Sequence, residues 1–183
     1  MINQSLEFIS DELALGLGIT SDVSVENLSK IKDENLSGLI ISLLNVQEES
    51  TLKNSPHVIR KANRLAYKEP PVYLNLYTLM AFEFEDYGTS LQRLEETVLY
   101  FQNKSWFSSE NERADNPFPS GLKKLILDLQ NLTFEQLNHI WSISGGSHCL
   151  SLLYRIRLVI IEPVDEIDAP EIDTIKLESG LLK

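Results

Sequence analysis

The sequence predicts an α+β fold: a single mixed sheet of about four strands with helices packed on one face. Three observations carry this. Residues 72–84 alternate strictly, with Val72, Leu74, Leu76, Thr78, Met80, Phe82 and Phe84 on one side and Tyr73, Asn75, Tyr77, Leu79, Ala81 and Glu83 on the other. Other segments repeat every three or four residues instead, as amphipathic helices do. The two kinds of segment follow one another as helix, strand, long loop, strand, helix, strand, helix, strand.

The first helix is carried by Ile2, Leu6, Ile9 and Leu13, and Gly16 and Gly18 stop it. Val23 and Val25 suggest a short edge strand. Residues 39–46, LIISLLNV, are apolar on both faces at their start, which places that strand inside the sheet. Residues 48–71 read as a long polar connection that gathers Arg60, Lys61, Arg64 and Lys68. After the alternating strand, residues 87–103 form a helix whose stripe is Tyr87, Leu91, Leu94, Val98 and Phe101. Residues 108–121 are a polar loop. Residues 123–130 are a strand. Residues 133–144 are a helix with a capping box, Thr133 and Gln136, a stripe of Phe134, Leu137, Ile140 and Trp141, and a stop at Gly145-Gly146. Residues 150–161 are the last core strand. The expected organisation is one domain over 1–162 and an acidic tail over 163–183.

The chain has 183 residues and a formal net charge of −11. Nucleic acid and anionic membranes bind through clustered cations, so this charge argues against both as main partners. One cysteine rules out an internal disulfide framework. Residues 1–12 lack the basic and apolar regions of a secretory signal. No apolar run approaches the roughly 18 residues of a membrane span.

Catalytic constellations do not emerge. Cys149 and His148 are neighbours in an extended segment, so they point to opposite faces and do not make a nucleophile–base pair; a buried structural cysteine is expected. His57, His139 and His148 have no two-ligand spacing, and calcium-loop spacing is absent. No cofactor, metal or catalytic residue is expected. The second faces of the strands are more informative. Tyr73, Asn75, Tyr77, Arg155 and Arg157 share that side with Glu83, Asp128 and Gln130. Two readings fit such a face: a solvated sheet surface with cross-strand ion pairs, or a protein interface, where Tyr and Arg are enriched. Two readings also fit the basic cluster Arg60, Lys61, Arg64 and Lys68: docking on an acidic neighbour, such as a second copy of this protein, or an idle surface loop.

Three stretches resemble a known family: LIISLLNVQEESTLKN (39–54), YKEPPVYLNLYTLMAFEFEDYGTSLQRLEETVLYFQNKSWF (67–107) and LQNLTFEQLNHIWSISGGSHCLSLLYRIRLVII (129–161). They are similar to the tail-terminator, or cap, proteins of extracellular contractile injection systems, headless phage-tail-like particles. The resemblance implies a phage tail-terminator-like fold and a structural role without enzymatic activity. Such a protein forms a hexameric ring, ends inner-tube and sheath polymerisation, and anchors the top sheath layer. The implied partners are copies of itself and the tube and sheath proteins. Its implied location is the cytoplasm during assembly, then a released extracellular particle. Two readings from other classes stay open: a small enzyme with an unrecognised site, and a monomeric adaptor or chaperone for cargo.

Overall fold

The computed structural model describes residues 1–31, 37–49, 58–61, 64–68, 71–143, 148–161 and 166–168. Its elements in chain order are α1 (Ile2–Leu17), β1 (Val23–Val25), a short 3-10 turn (Leu28–Ile31), β2 (Gly38–Glu48), β3 (Val58–Lys61), β4 (Arg64–Lys68), β5 (Val72–Glu83), α2 (Tyr87–Asn103), β6 (Trp106–Phe107), β7 (Leu125–Gln130), α3 (Phe134–Ile143), β8 (Leu150–Ile161) and β9 (Glu166–Asp168).

The main sheet has six strands in the order β1-β2-β5-β8-β7-β6. The four long strands expected from the sequence are its centre. The edges β1 and β6 are only three and two residues long, too short for β6 to show a period of its own. Only β1 runs parallel to its neighbour; the other pairs are antiparallel.

Local chemistry explains the helix ends. Gly18 closes α1 in the left-handed conformation at φ 66°, donating its N–H to the Ala14 carbonyl, a conformation glycine adopts without a Cβ penalty. Gly16 does not stop the helix. It lies inside α1 and lets the Tyr100 ring of α2 come so close that a Cβ there would clash. Asp86 caps α2 by accepting from the Thr89 N–H at 2.8 Å. The capping box of α3 is reciprocal: Gln136 N–H donates to Thr133 Oγ1 at 3.2 Å, and Thr133 N–H donates to Gln136 Oε1 at 3.0 Å.

The core divides between the two faces of the sheet. On the first, α1 and α2 cover Leu39, Ile41, Leu76, Met80, Phe82 and Ile156. Edge-to-face aromatics bind the layer: Phe8 meets Phe107 at 5.7 Å and Phe118 at 5.2 Å. Phe118, the apolar exception in the otherwise polar 108–121 loop, thereby ties that loop into the core. On the second face, Trp141 of α3 packs with Leu28, Ile40, Leu79, Ala81 and Cys149. Helices therefore cover both faces, not one. Ile40, Leu79 and Ala81 form an apolar patch on the side expected to be polar, and α3 buries it.

The stretch 48–71, expected as a loop, holds two antiparallel strands. Strand β3 pairs with β4 from Val58↔Tyr67 to Lys61↔Arg64, and β4 pairs with β9. The order β3-β4-β9 repeats β2-β5-β8, with each strand joined in sequence to its counterpart. The three central strands thus reappear as a second small sheet after an interruption. Glu166–Asp168, from the stretch expected as a tail, supplies the third strand.

Candidate functional site

Strand alternation brings five of the nine candidate residues onto one surface, the second face of the main sheet. Tyr73, Asn75 and Tyr77 come from β5, and Arg155 and Arg157 from β8. The register sets Tyr77 beside Arg155 and Arg155 beside Asp128 of β7. On the other side of β5, Asn45 lies opposite Tyr77 and Gln47 opposite Asn75. A polar row thus crosses four strands, from Asp128 through Arg155 and Tyr77 to Asn45. It begins where the apolar patch under α3 ends.

The charges on this row are matched. Arg155 Nη2 donates to Asp128 Oδ2 at 2.9 Å. Arg157 lies 3.5 Å from the same carboxylate oxygen and 3.9 Å from Glu49 Oε2. Asn75 Nδ2 donates to Glu49 Oε2 at 3.0 Å. The hydrogen bond to Asp128, and then one to Tyr77, hold the Arg155 guanidinium even more firmly protonated than usual. Three polar atoms in the row are buried without a hydrogen-bond partner: Asn75 Oδ1, Arg155 Nε and Arg157 Nε. Asn75 as a whole is only 6% exposed. Half-exposed ion pairs contribute roughly 0.2–1 kcal/mol each, so this network adds little to the stability of the fold.

Its chemistry suits recognition. The carboxylates are engaged by guanidinium groups, and no nucleophile stands beside a base. Among the described residues no group of three His, Cys, Asp or Glu side chains could hold a metal ion. Cys149 is buried, with its thiol directed at the Phe82 carbonyl at 3.2 Å. Burial, reinforced by a hydrogen bond to Glu83, pushes its pKa up to about 12, the opposite of an activated nucleophile. His148 is exposed beside the Trp141 ring, and His139 is exposed on α3. His57 and Gly145-Gly146-Ser147 lie outside the described residues.

The other four candidates lie on the small sheet. Arg60 and Lys61 are in β3, and Arg64 and Lys68 in β4; their side chains are outside the description. The structure therefore divides the candidates between two sheets. Sequence reading missed Asn45, Gln47 and Glu49. The register of β2 shifts between Leu43 and Asn45, so simple alternation assigns Asn45 to the core face with Leu39, Ile41 and Leu43. A polar Asn in that apolar series was the available signal of a bulge.

The family model of the Pvc16 N-terminal domain matches residues 2–174. No curated protein matches the sequence. Two solved structures share the fold. One is the PVC sheath/tube terminator of an extracellular contractile injection system in its extended state, with TM-score 0.62 and 14% identity over 100% of this chain and 65% of that one. The other is the tube-terminating cap of the anti-feeding prophage, with TM-score 0.65 and 13% identity over 94% of this chain and 59% of that one. The chain thus spans about three-fifths of the length of each. With the family model matched along nearly its whole length, the chain belongs to the Pvc16 N-terminal domain family.

Proposed function

We propose that this chain is a structural terminator of a contractile injection particle and not an enzyme. It caps the inner tube, stops tube and sheath growth, and holds the last sheath layer as a hexameric ring. The carrying observation is the family match over residues 2–174, supported by a fold shared with a sheath/tube terminator and a tube-terminating cap. A closed ring requires two different patches that meet across each subunit boundary. The basic strands with Arg60, Lys61, Arg64 and Lys68 are one such patch, docking on an acidic surface of the next subunit. The polar row of Tyr73, Asn75, Tyr77, Arg155 and Arg157 is a second candidate patch, for a ring, tube or sheath contact. Assembly takes place in the cytoplasm and the product is a released particle; neither nucleic acid nor membrane is a partner.

Particles assembled without this protein test the reading by negative-stain imaging. Tubes and sheaths of irregular length are expected. Particles of normal, uniform length would refute it.

A further inference from the structure

The outer side of α2 exposes large apolar side chains that no other described element covers. Tyr87 is 66% exposed, Leu91 44% and Leu99 49%. They follow one another at helical spacing along the side turned away from the sheet, because α2 buries Ser90, Thr97 and Phe101 instead. Val98 of the same helix borders a groove of about 400 Å³ that runs to Leu127 and Leu129 of β7; Leu129 is exposed as well. A surface helix normally turns charged and polar residues to solvent; here three large apolar side chains share the exposed side with Gln92, Glu95 and Gln102, and such apolar exposure rimmed by polar residues marks an interaction site.

The charges around the strip define what fits it. Glu95 is exposed between Leu91 and Leu99 on the same face. Glu83, Glu85 and Asp86 surround its Tyr87 end. Arg93, the sole cation of α2, is bound to Glu96 at 2.7 Å. An antiparallel pairing of two α2 helices would bring Glu95 against its own copy, which opposes self-association through this face. An anionic lipid surface is repelled by the same carboxylates.

We propose that the outer face of α2 and the adjoining groove dock an amphipathic helical segment of another protein, with apolar anchors separated and flanked by Lys or Arg. The anchors sit on Leu91, Leu99 and Leu129, and a cation meets Glu95. This is the helix-in-groove mode of recognition. It holds whether or not the chain caps a tube.

The test uses the full chain and two labelled helical peptides of about four turns, identical in their Leu anchors, one with Lys and one with Glu at the flanking positions. Fluorescence anisotropy is expected to show the Lys peptide binding about tenfold tighter or more. Leu99→Asp weakens it about tenfold, Glu95→Lys reverses the preference, and His139→Ala on α3, across the sheet, changes nothing. All three positions are solvent-accessible, and a thermal melt confirms that each variant folds. Equal affinity for the two peptides, no binding, or binding unaltered by Leu99→Asp would overturn the proposal. So would self-association abolished by Leu99→Asp, which assigns the face to a second copy, or phosphatidylglycerol-vesicle binding abolished by it, which assigns the face to lipid.

Discussion

At Glu12 and Cys149, burial alone changes what an ordinary side chain does. Glu12 on α1 is fully buried and accepts from Tyr100 Oη at 2.7 Å, Lys104 Nζ at 3.1 Å and Asn116 Nδ2 at 3.3 Å. It joins α1, α2 and the 108–121 loop. Glu12→Ala removes the acceptor that all three donors share and leaves Asn116 Nδ2 only the Phe8 carbonyl at 3.2 Å. Tyr100 and Lys104 can turn to water, but Asn116 is buried, so a loss of roughly 2–4 kcal/mol is expected in urea unfolding. Nothing in the sequence singles out Glu12 among 27 carboxylates, because its partners lie about a hundred residues away. Cys149 is the opposite case, legible because a lone cysteine in an apolar strand is ordinarily buried. Its pKa and that of Tyr154 are both pushed up to about 12, in each case chiefly by burial. The folded state therefore holds these protons more tightly than the unfolded chain, where the groups titrate near about 8.5 and 10. Their contribution to stability is intact below those values and is lost as pH rises through about 12. Urea midpoints should fall above about pH 9, and Cys149→Ala with Tyr154→Phe should flatten the fall. An equally steep fall in the double variant would show that other groups control it.

Helix positions were legible, while their buried faces were partly not. The boundaries of α2 agree with the sequence reading, yet its expected stripe included Tyr87 and Leu91, which face solvent. Ser90 and Thr97 are buried in their stead. They are small enough to let α2 approach the sheet, and their hydroxyls are satisfied locally: Ser90 Oγ accepts from Phe84 N–H, and Thr97 donates to the Arg93 carbonyl at 2.8 Å. Residue type does not disclose that. Phe134, placed on the inner stripe of α3, is 92% exposed because the helix begins beyond the rim of the apolar patch it covers. Leu137 and Ile140 are only partly buried, which leaves Trp141 as the main anchor of α3. Trp141→Ala removes the side chain that seats the helix, at a cost of about 3–5 kcal/mol for a buried aromatic. Hydrogen exchange should then accelerate in α3 while α1 and α2 keep their protection, and iodoacetamide should reach Cys149 without global unfolding. Equal acceleration everywhere would show that α3 is not a separable unit.

Across the whole molecule, the net charge of −11 sets the terms on which copies and neighbours meet. A ring of such chains repels itself unless local patches offset the average. The two candidate patches differ in kind: the polar row on the main sheet is already charge-matched internally, whereas Arg60, Lys61, Arg64 and Lys68 concentrate cations on two paired strands. Their sequence was legible as a basic cluster but not as strands, since four- and five-residue segments interrupted by charge show no period. The pairing now makes a clean experiment possible. Lys61 and Arg64 stand directly opposite each other in the β3–β4 ladder, a like-charged pair. Replacing Arg60, Lys61 and Arg64 together by Glu leaves that cross-strand repulsion as it was, with only the sign exchanged. The backbone pairing of β3 with β4 is kept in the variant, so its thermal melt should move little. Under the proposed role capping should nevertheless fail, because the cations proposed to meet an acidic neighbour have become carboxylates. Particles carrying the variant are then expected to show irregular sheaths and to lose the protein from their ends on raising salt, at concentrations that leave the unmodified protein in place. Particles of normal length from a folded variant would remove the small sheet from the interface and leave the polar row of the main sheet to carry the contact.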